Sequence, residues 1–325
     1  MQAKFAGNAC TAVFLVCYSC FWVACGPTTE NDGSQSNARI VIPPQFDEVS
    51  NFRDGLAAVR IGDIETGKWG IIGTDGKFVV EPQFDDLDAF LGSWNGFTEG
   101  LAPARVGDSE TGKWGYIDRQ GKFVIHPQFD NASPFTEGLA GVQTGGKETG
   151  KFGFINKQGN FVITPQFSGA MMFSEGLAAV RVGDSQTGRW GYVDKLGRFV
   201  LKPQFPATFP PQHFSNGLAA VFFLGRGAGF IDKQGALVIE PQFGENIHGF
   251  SEGLAAVEVS KRYGYIDVRG NFIVNPQFGS GFDFSEGLAA VAVGAPPTGT
   301  IGFIDRSGNL AIKPQFLFSL NSRFA

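Results

Sequence analysis

The chain has 325 residues and a formal charge of −5, with acidic and basic side chains interspersed rather than blocked. That length is ample for a sizeable core, and a mildly acidic surface without a basic stripe argues against nucleic acid as a partner. All four cysteines, Cys10, Cys17, Cys20 and Cys25, fall near the N-terminus, so the rest has no disulfide framework or thiolate cluster to draw on.

Residues 1–25 differ in kind from the remainder of the chain. A single cation, Lys4, precedes an apolar stretch from about Ala9 to Ala24, and polar residues from Gly26 onward come after it. This is the layout of a secretory signal. The apolar stretch is short for a membrane span, which needs roughly 17–25 residues. Val23-Ala24-Cys25-Gly26 resembles a bacterial lipobox, with Trp22 as a departure. That resemblance implies lipidation at Cys25, with an uncleaved anchor or a plain signal peptide as alternatives. Residues 26–39, rich in Ser, Asn, Thr and Gly, read as a flexible tether. The partner implied at this end is a membrane, and the location is the bacterial cell envelope, lipid-anchored and facing the periplasm or the cell surface.

Residues 40–325 form one β-repeat domain. Pro-Gln-Phe begins at Pro44, Pro82, Pro127, Pro165, Pro203, Pro241, Pro276 and Pro314, with spacings of 38, 45, 38, 38, 38, 35 and 38 residues. A fixed period of this size marks a stacked array in which no unit buries its apolar face alone. One unit, from Phe135 to Phe173, carries three short β-branched and aromatic runs, each bounded by Gly, Pro, Asn or Asp. They predict three antiparallel strands per unit. Asp118, Asn156, Asp194, Asp232, Asp267 and Asp305 share a slot three residues before a Gly, which predicts a capped hairpin rather than a metal ladder. The periodic Glu-Gly pairs, with Asn216 breaking the series of acids, read as tight turns. The unvarying Gln of Pro-Gln-Phe predicts a structural hydrogen-bond ladder. The 34 Phe residues, many at matching places in successive units, predict an internal aromatic ladder, with a stacking platform for sugars or peptides as the alternative.

Lys68-Trp69-Gly70, Lys113-Trp114-Gly115 and Arg189-Trp190-Gly191, together with Glu-Gly-Leu-Ala, Tyr116-Ile117-Asp118-Arg119-Gln120-Gly121 and Pro-Gln-Phe, resemble the WG (KWG) β-repeat family of bacterial proteins. The resemblance covers about residues 40–316. Phe152-Gly153, Ala228-Gly229, Tyr263-Gly264 and Ile301-Gly302 depart from it, which makes the Trp slot a packing position. The resemblance implies repeat modules that mediate binding, and it carries over no catalytic residue.

The expected fold is all-β, an open superhelix-like array of about seven three-stranded antiparallel meanders, with a seven-bladed propeller as the alternative. Arg39–Pro44 is an extra copy of the third strand, yet the last unit carries its own copy near Ile312, so a ring closed by the N-terminal strand has no vacant slot. No P-loop, dinucleotide fingerprint or nucleophile elbow occurs, and His126, His213 and His248 lie in different units without metal-ligand spacing. The sequence therefore predicts no catalytic residue, no metal and no cofactor. It points to a non-enzymatic module that binds a protein or glycan, with a structural envelope scaffold or a propeller-type enzyme as alternatives. Two stretches break the repeat, an insertion holding Trp94 and Asn95 and a Pro-rich stretch holding Phe209 and His213. Insertions in repeat arrays map to loops on one face, so these four are the ligand-binding candidates.

Overall fold

The computed structural model describes residues 42–87, 96–294 and 299–317. The signal-like segment, the tether, Cys25, Trp94 and Asn95 lie outside the described residues. The described chain is all-β, and it forms seven separate antiparallel sheets in sequence order, none closed into a barrel. Unit four shows the plan, with Gly169–Ala170, Leu177–Val182, Arg189–Asp194 and Phe199–Pro206 paired in that order. The last three are the strands expected from sequence. The first is a two-residue lead strand that also occurs in units one, three and seven, as Glu48–Val49, Asn131–Ala132 and Ser280–Gly281. In units two and six a single bridge, Asp86 to Arg105 or Ile247 to Val257, stands in its place.

Trp-Gly and Pro-Gln-Phe are two sides of one feature. In unit four Trp190 faces Phe205 and Tyr192 faces Leu201, so the third strand bulges outward over Lys202-Pro203-Gln204. A bulge is where a strand tolerates a proline, which has no N–H for the ladder. The bulging backbone lies close over Gly191, where an added Cβ would stand 2.5 Å from the Leu201 carbonyl oxygen and 2.8 Å from the Pro203 nitrogen. The same shift recurs in every sheet. The Gln side chains of the described bulges are exposed. Gln128 and Gln166 reach only their own chain's carbonyl two residues back, at 3.3 and 3.4 Å. The expected hydrogen bonding of backbone by this Gln thus occurs at Gln128 and Gln166 as long local contacts, with the side chain turned outward by the bulge.

Successive sheets stack face to face. Leu177, Ala179, Trp190, Tyr192, Leu201 and Phe205 of unit four pack against Phe214, Ala219, Val221 and Ile231 of unit five. Ala178, Val180 and Val193, on the opposite face, pack against unit three. Each first strand is thus buried on both faces, which is why it reads Leu-Ala-Ala-Val instead of alternating apolar and polar. The aromatic ladder is internal. Phe84 meets Phe123 at 5.7 Å, Phe129 meets Phe161 at 6.3 Å, Phe167 meets Phe199 at 6.1 Å and Phe243 meets Phe272 at 6.4 Å, each edge to face. The hairpins are as expected: Asp194 Oδ1 accepts from the N–H of Leu196 (2.9 Å) and of Arg198 (3.0 Å).

The Glu-Gly turns do more than turn. Asp54, Glu99, Glu137, Glu175, Asn216, Glu252 and Glu286 all hold φ between 48° and 55°. A non-glycine residue is uncommon there and Glu has no local advantage, unlike Asn or Asp. The reason lies in the next unit. Glu99 accepts from the N–H of Gly138 (3.0 Å) and pairs with Lys157 (3.0 Å). Glu137 does the same with Gly176 (3.0 Å) and Lys195 (3.1 Å), and Glu175 with Gly217 (3.1 Å) and Lys233 (3.0 Å). Asp54 with Arg119 (3.5 Å) and Glu252 with Arg306 (4.0 Å) extend the staircase. Burial works against the Glu99 carboxylate, yet Lys157 and the Gly138 N–H hold its pKa below the ordinary value.

The one missing acid is matched by a missing cation: Asn216 sits in the acidic slot, and Val268 occupies the following unit's Lys slot. The charge loss at Asn216 thus supports an ionic role for the other steps instead of opposing it. Installing the step with Asn216→Glu and Val268→Lys together should stabilise by about 0.5 kcal/mol more than the two singles summed. A double-mutant cycle by urea denaturation checks this, and strict additivity would contradict the pairing.

Candidate functional site

The strand registers bring the Trp slot opposite the fifth residue of the first strand. Arg60 faces Trp69, Arg105 faces Trp114 and Arg181 faces Trp190. The guanidinium lies over the indole at 5.7 Å in the second case and 5.6 Å in the third. Each Arg also binds the lead segment, Arg60 through Glu48 (3.0 Å), Arg105 through Asp86 (3.2 Å) and Arg181 through the Ser168 carbonyl (3.0 Å). Units three, five, six and seven lack the pair, and in unit three Gln143 faces Phe152. Its amide holds the adjoining loop by donating to the Lys147 carbonyl (3.0 Å). The loop itself departs, reading Gly145-Gly146-Lys147-Glu148 where units two and four have Gly-Asp-Ser.

A cleft of ≈ 350 Å³ opens between units two and three. Asp86, Arg105, Ser109 and Trp114 line it from unit two, and Asp130, Asn131, Gln143 and Lys147 from unit three. Asp130 is buried, pairs with Lys113 and accepts from the N–H of Gly146 (2.8 Å). Burial pushes its pKa up, but Lys113 and the loop N–H groups outweigh this and hold it below the ordinary value. At the rim the Thr111 hydroxyl and N–H hold Asp108 at about 2. The acids are therefore anions at neutral pH. Trp190 donates its indole N–H to the Ala207 carbonyl (3.1 Å), whereas Trp114 has no such acceptor among the described residues. Lys147 is exposed and forms no ion pair among the described residues. The cleft presents donors from Arg105, Asn131, Lys147 and Trp114, and acceptors from two carboxylates.

Of the sequence candidates, Phe209 and His213 do not line this cleft, and Trp94 and Asn95 lie outside the described residues. Phe209 is half-buried and stacks on Phe222 at 4.0 Å, so one ring face is occupied within its own unit. His213 is exposed. Local desolvation lowers its pKa while Asp283 and Glu175 pull it up, and the exposed ring gives the desolvation small weight. Asp283 also holds His248 Nδ1 at 2.8 Å, which ties unit six to unit seven. The signal for the cleft was in the sequence as the exchange of Arg for Gln at Gln143 and the altered loop beside it, two departures that matter only once units two and three are stacked. Among the described residues no cluster of three or more His, Cys, Asp or Glu is arranged to hold a metal, and no helix is long and apolar enough to cross a membrane.

Comparison with known proteins bears on the fold. A prolyl endopeptidase matches at 12% identity over 85% of this chain and 51% of its own, with a TM-score of 0.51. This chain thus spans about half of that enzyme's length, and the likeness is one of fold. The computationally designed Ika8 protein (12% identity, 84% of each chain, TM-score 0.47) and BamB from Moraxella catarrhalis (11% identity, 80% of this chain and 82% of that one, TM-score 0.46) are also similar. No curated protein matches the sequence. The WG containing repeat matches at residues 36–63, 69–109, 114–147, 152–184, 190–223, 229–262, 263–294 and 301–316. With most of its length accounted for in this way, the chain belongs to the WG-repeat family.

Proposed function

We propose that this chain is a non-enzymatic recognition module, tethered to a bacterial membrane by its N-terminus, and that the cleft between units two and three is its binding site. The observation that carries this reading is the set of convergent polar groups where units two and three meet, beside an indole N–H that has no acceptor among the described residues. Ligand sites combine concavity with a few convergent polar groups, and this volume lies at the lower end of their ordinary range. Planar donors and acceptors around an aromatic edge suit the hydroxyl groups of a saccharide, which we take as the ligand class over a protein segment. The cleft acids are held as ion-paired anions, an arrangement poorly suited to general acid–base chemistry. That favours recognition over the alternative of an enzyme.

Titration with a panel of neutral and acidic oligosaccharides, followed by tryptophan fluorescence, tests the site. At least one should bind, and Asn131→Ala with Lys147→Ala should weaken it tenfold or more while the melting curve stays in place. Binding that ignores both substitutions would contradict the assignment. The tether rests on the Ala24-Cys25-Gly26 junction. Mass spectrometry of the mature N-terminus should find a lipid-modified Cys25, and an unmodified peptide spanning Ala24-Cys25 would refute it.

A further inference from the structure

The interface between units is used six times in this chain, and one element of it appears a seventh time without a unit behind it. In units two to seven the hairpin glycine rests on an aliphatic side chain of the preceding third strand, as Gly197 does on Ile163, Gly235 on Leu201 and Gly270 on Ile239. Gly76 of unit one has no preceding unit among the described residues, yet Ile42 fills the same place, 3.0 Å from where a Cβ would stand. Phe46 meets Phe78 edge to face at 5.9 Å, just as Phe84, Phe129, Phe167 and Phe243 meet a third-strand ring of the following unit. Ile42 and Phe46 thereby pack on Ala57, Val59 and Ile72, the front face of unit one. The segment reads Ile42-Pro43-Pro44-Gln45-Phe46, against Ile312-Lys313-Pro314-Gln315-Phe316 in the last unit. It belongs to no sheet.

Among the described residues, nothing covers the matching half of the interface at the other end. Leu254, Ala256, Tyr265 and Val274 on the back of unit six are buried against unit seven. Their counterparts on the back of unit seven, Leu288, Ala290, Phe303 and Ile312, are only partly buried. We propose that residues 42–46 are an intramolecular cap, and that the surface they cover is a docking face for the seventh unit of a second copy of this chain. The cap supplies only the third-strand part of the interface. A full unit would add a first-strand and second-strand face and would bring Glu286 toward the Gly55 turn, completing the staircase. The cap prevails because it is tethered, at an effective concentration on the order of millimolar. A heterologous contact of this kind is head-to-tail and propagates unless it closes.

The test is sedimentation velocity of the full chain in mild detergent over a range of concentrations. The wild-type chain should keep one mass. Ile42→Asp with Phe46→Asp should give concentration-dependent oligomers, and adding Ile312→Asp should return it to the single mass. If the doubly charged variant loses its β-sheet circular dichroism, Phe46→Ala carries the same comparison. A cap variant that stays at one mass up to the highest concentration, by ring closure or otherwise, would overturn the proposal. Oligomers that persist undiminished with Ile312→Asp would overturn it equally.

Discussion

Gly191→Ala should cost about 3 kcal/mol, a large loss for the addition of one methyl group. The added Cβ would stand 2.5 Å from the Leu201 carbonyl oxygen and 2.8 Å from the Pro203 nitrogen, both backbone atoms of the bulge. Neither can swing aside as a flexible side chain would, so relief requires the third strand to lift away from the second. That shift would unseat Phe205, which is buried at the interface with unit five. Gly176→Ala is the control. Gly176 lies at φ 86° but has nothing within 4 Å of the added atom, so it should lose only about 1 kcal/mol from backbone strain. Urea unfolding midpoints distinguish the two, and equal losses would mean that the bulge does not press on Gly191.

Phe167→Ala should cost about 3–5 kcal/mol, since it empties a large, well-enclosed site. Phe167 is buried with Leu139, Phe154, Ile163, Phe173, Ala178, Val180 and Val193, and its ring meets Phe199 of unit four. The cavity would lie between two sheets, so little local collapse is open to it. In a stacked array each unit contacts only its neighbours. Amide exchange should therefore quicken in units three and four and change little in units one and seven. Phe209→Ala, which removes a half-buried ring stacked on a single partner, should lose less than half as much. A uniform rise in exchange across all units would contradict nearest-neighbour coupling.

The features legible in the sequence are those that recur within one unit. The Asp-to-Gly hairpins, the three strands and the Phe ladder all come from local spacing and from the need of a thin unit to bury aromatics. The staircase is hidden because its partners lie in different units, 58 residues apart in the case of Glu99 and Lys157. A Glu at positive φ also looks like a poor turn residue until its carboxylate is seen to serve the next unit. Asn216 misleads for the same reason, its partner position Val268 being one unit away. Trp-Gly and Pro-Gln-Phe look like separate motifs, since a bulge joins them only when the strands are paired. The cleft escapes notice because neither Gln143 nor the Gly145-Gly146 loop is unusual alone, and each matters only beside Trp114. The two-residue lead strands are too short to leave a periodic signal.

The seven units, joined by a repeated nearest-neighbour interface, form an open stack. The most direct test of that arrangement is to delete residues 279–325 and compare urea unfolding with the full chain. An open stack should keep its β-sheet circular dichroism, since units one to six retain every interface among themselves. The slope of free energy against urea should fall by about one-seventh, because that slope tracks the surface exposed on unfolding. Loss of the cooperative transition, with the full chain folding normally under the same conditions, would contradict the open stack and show that the seventh unit closes the structure on the first.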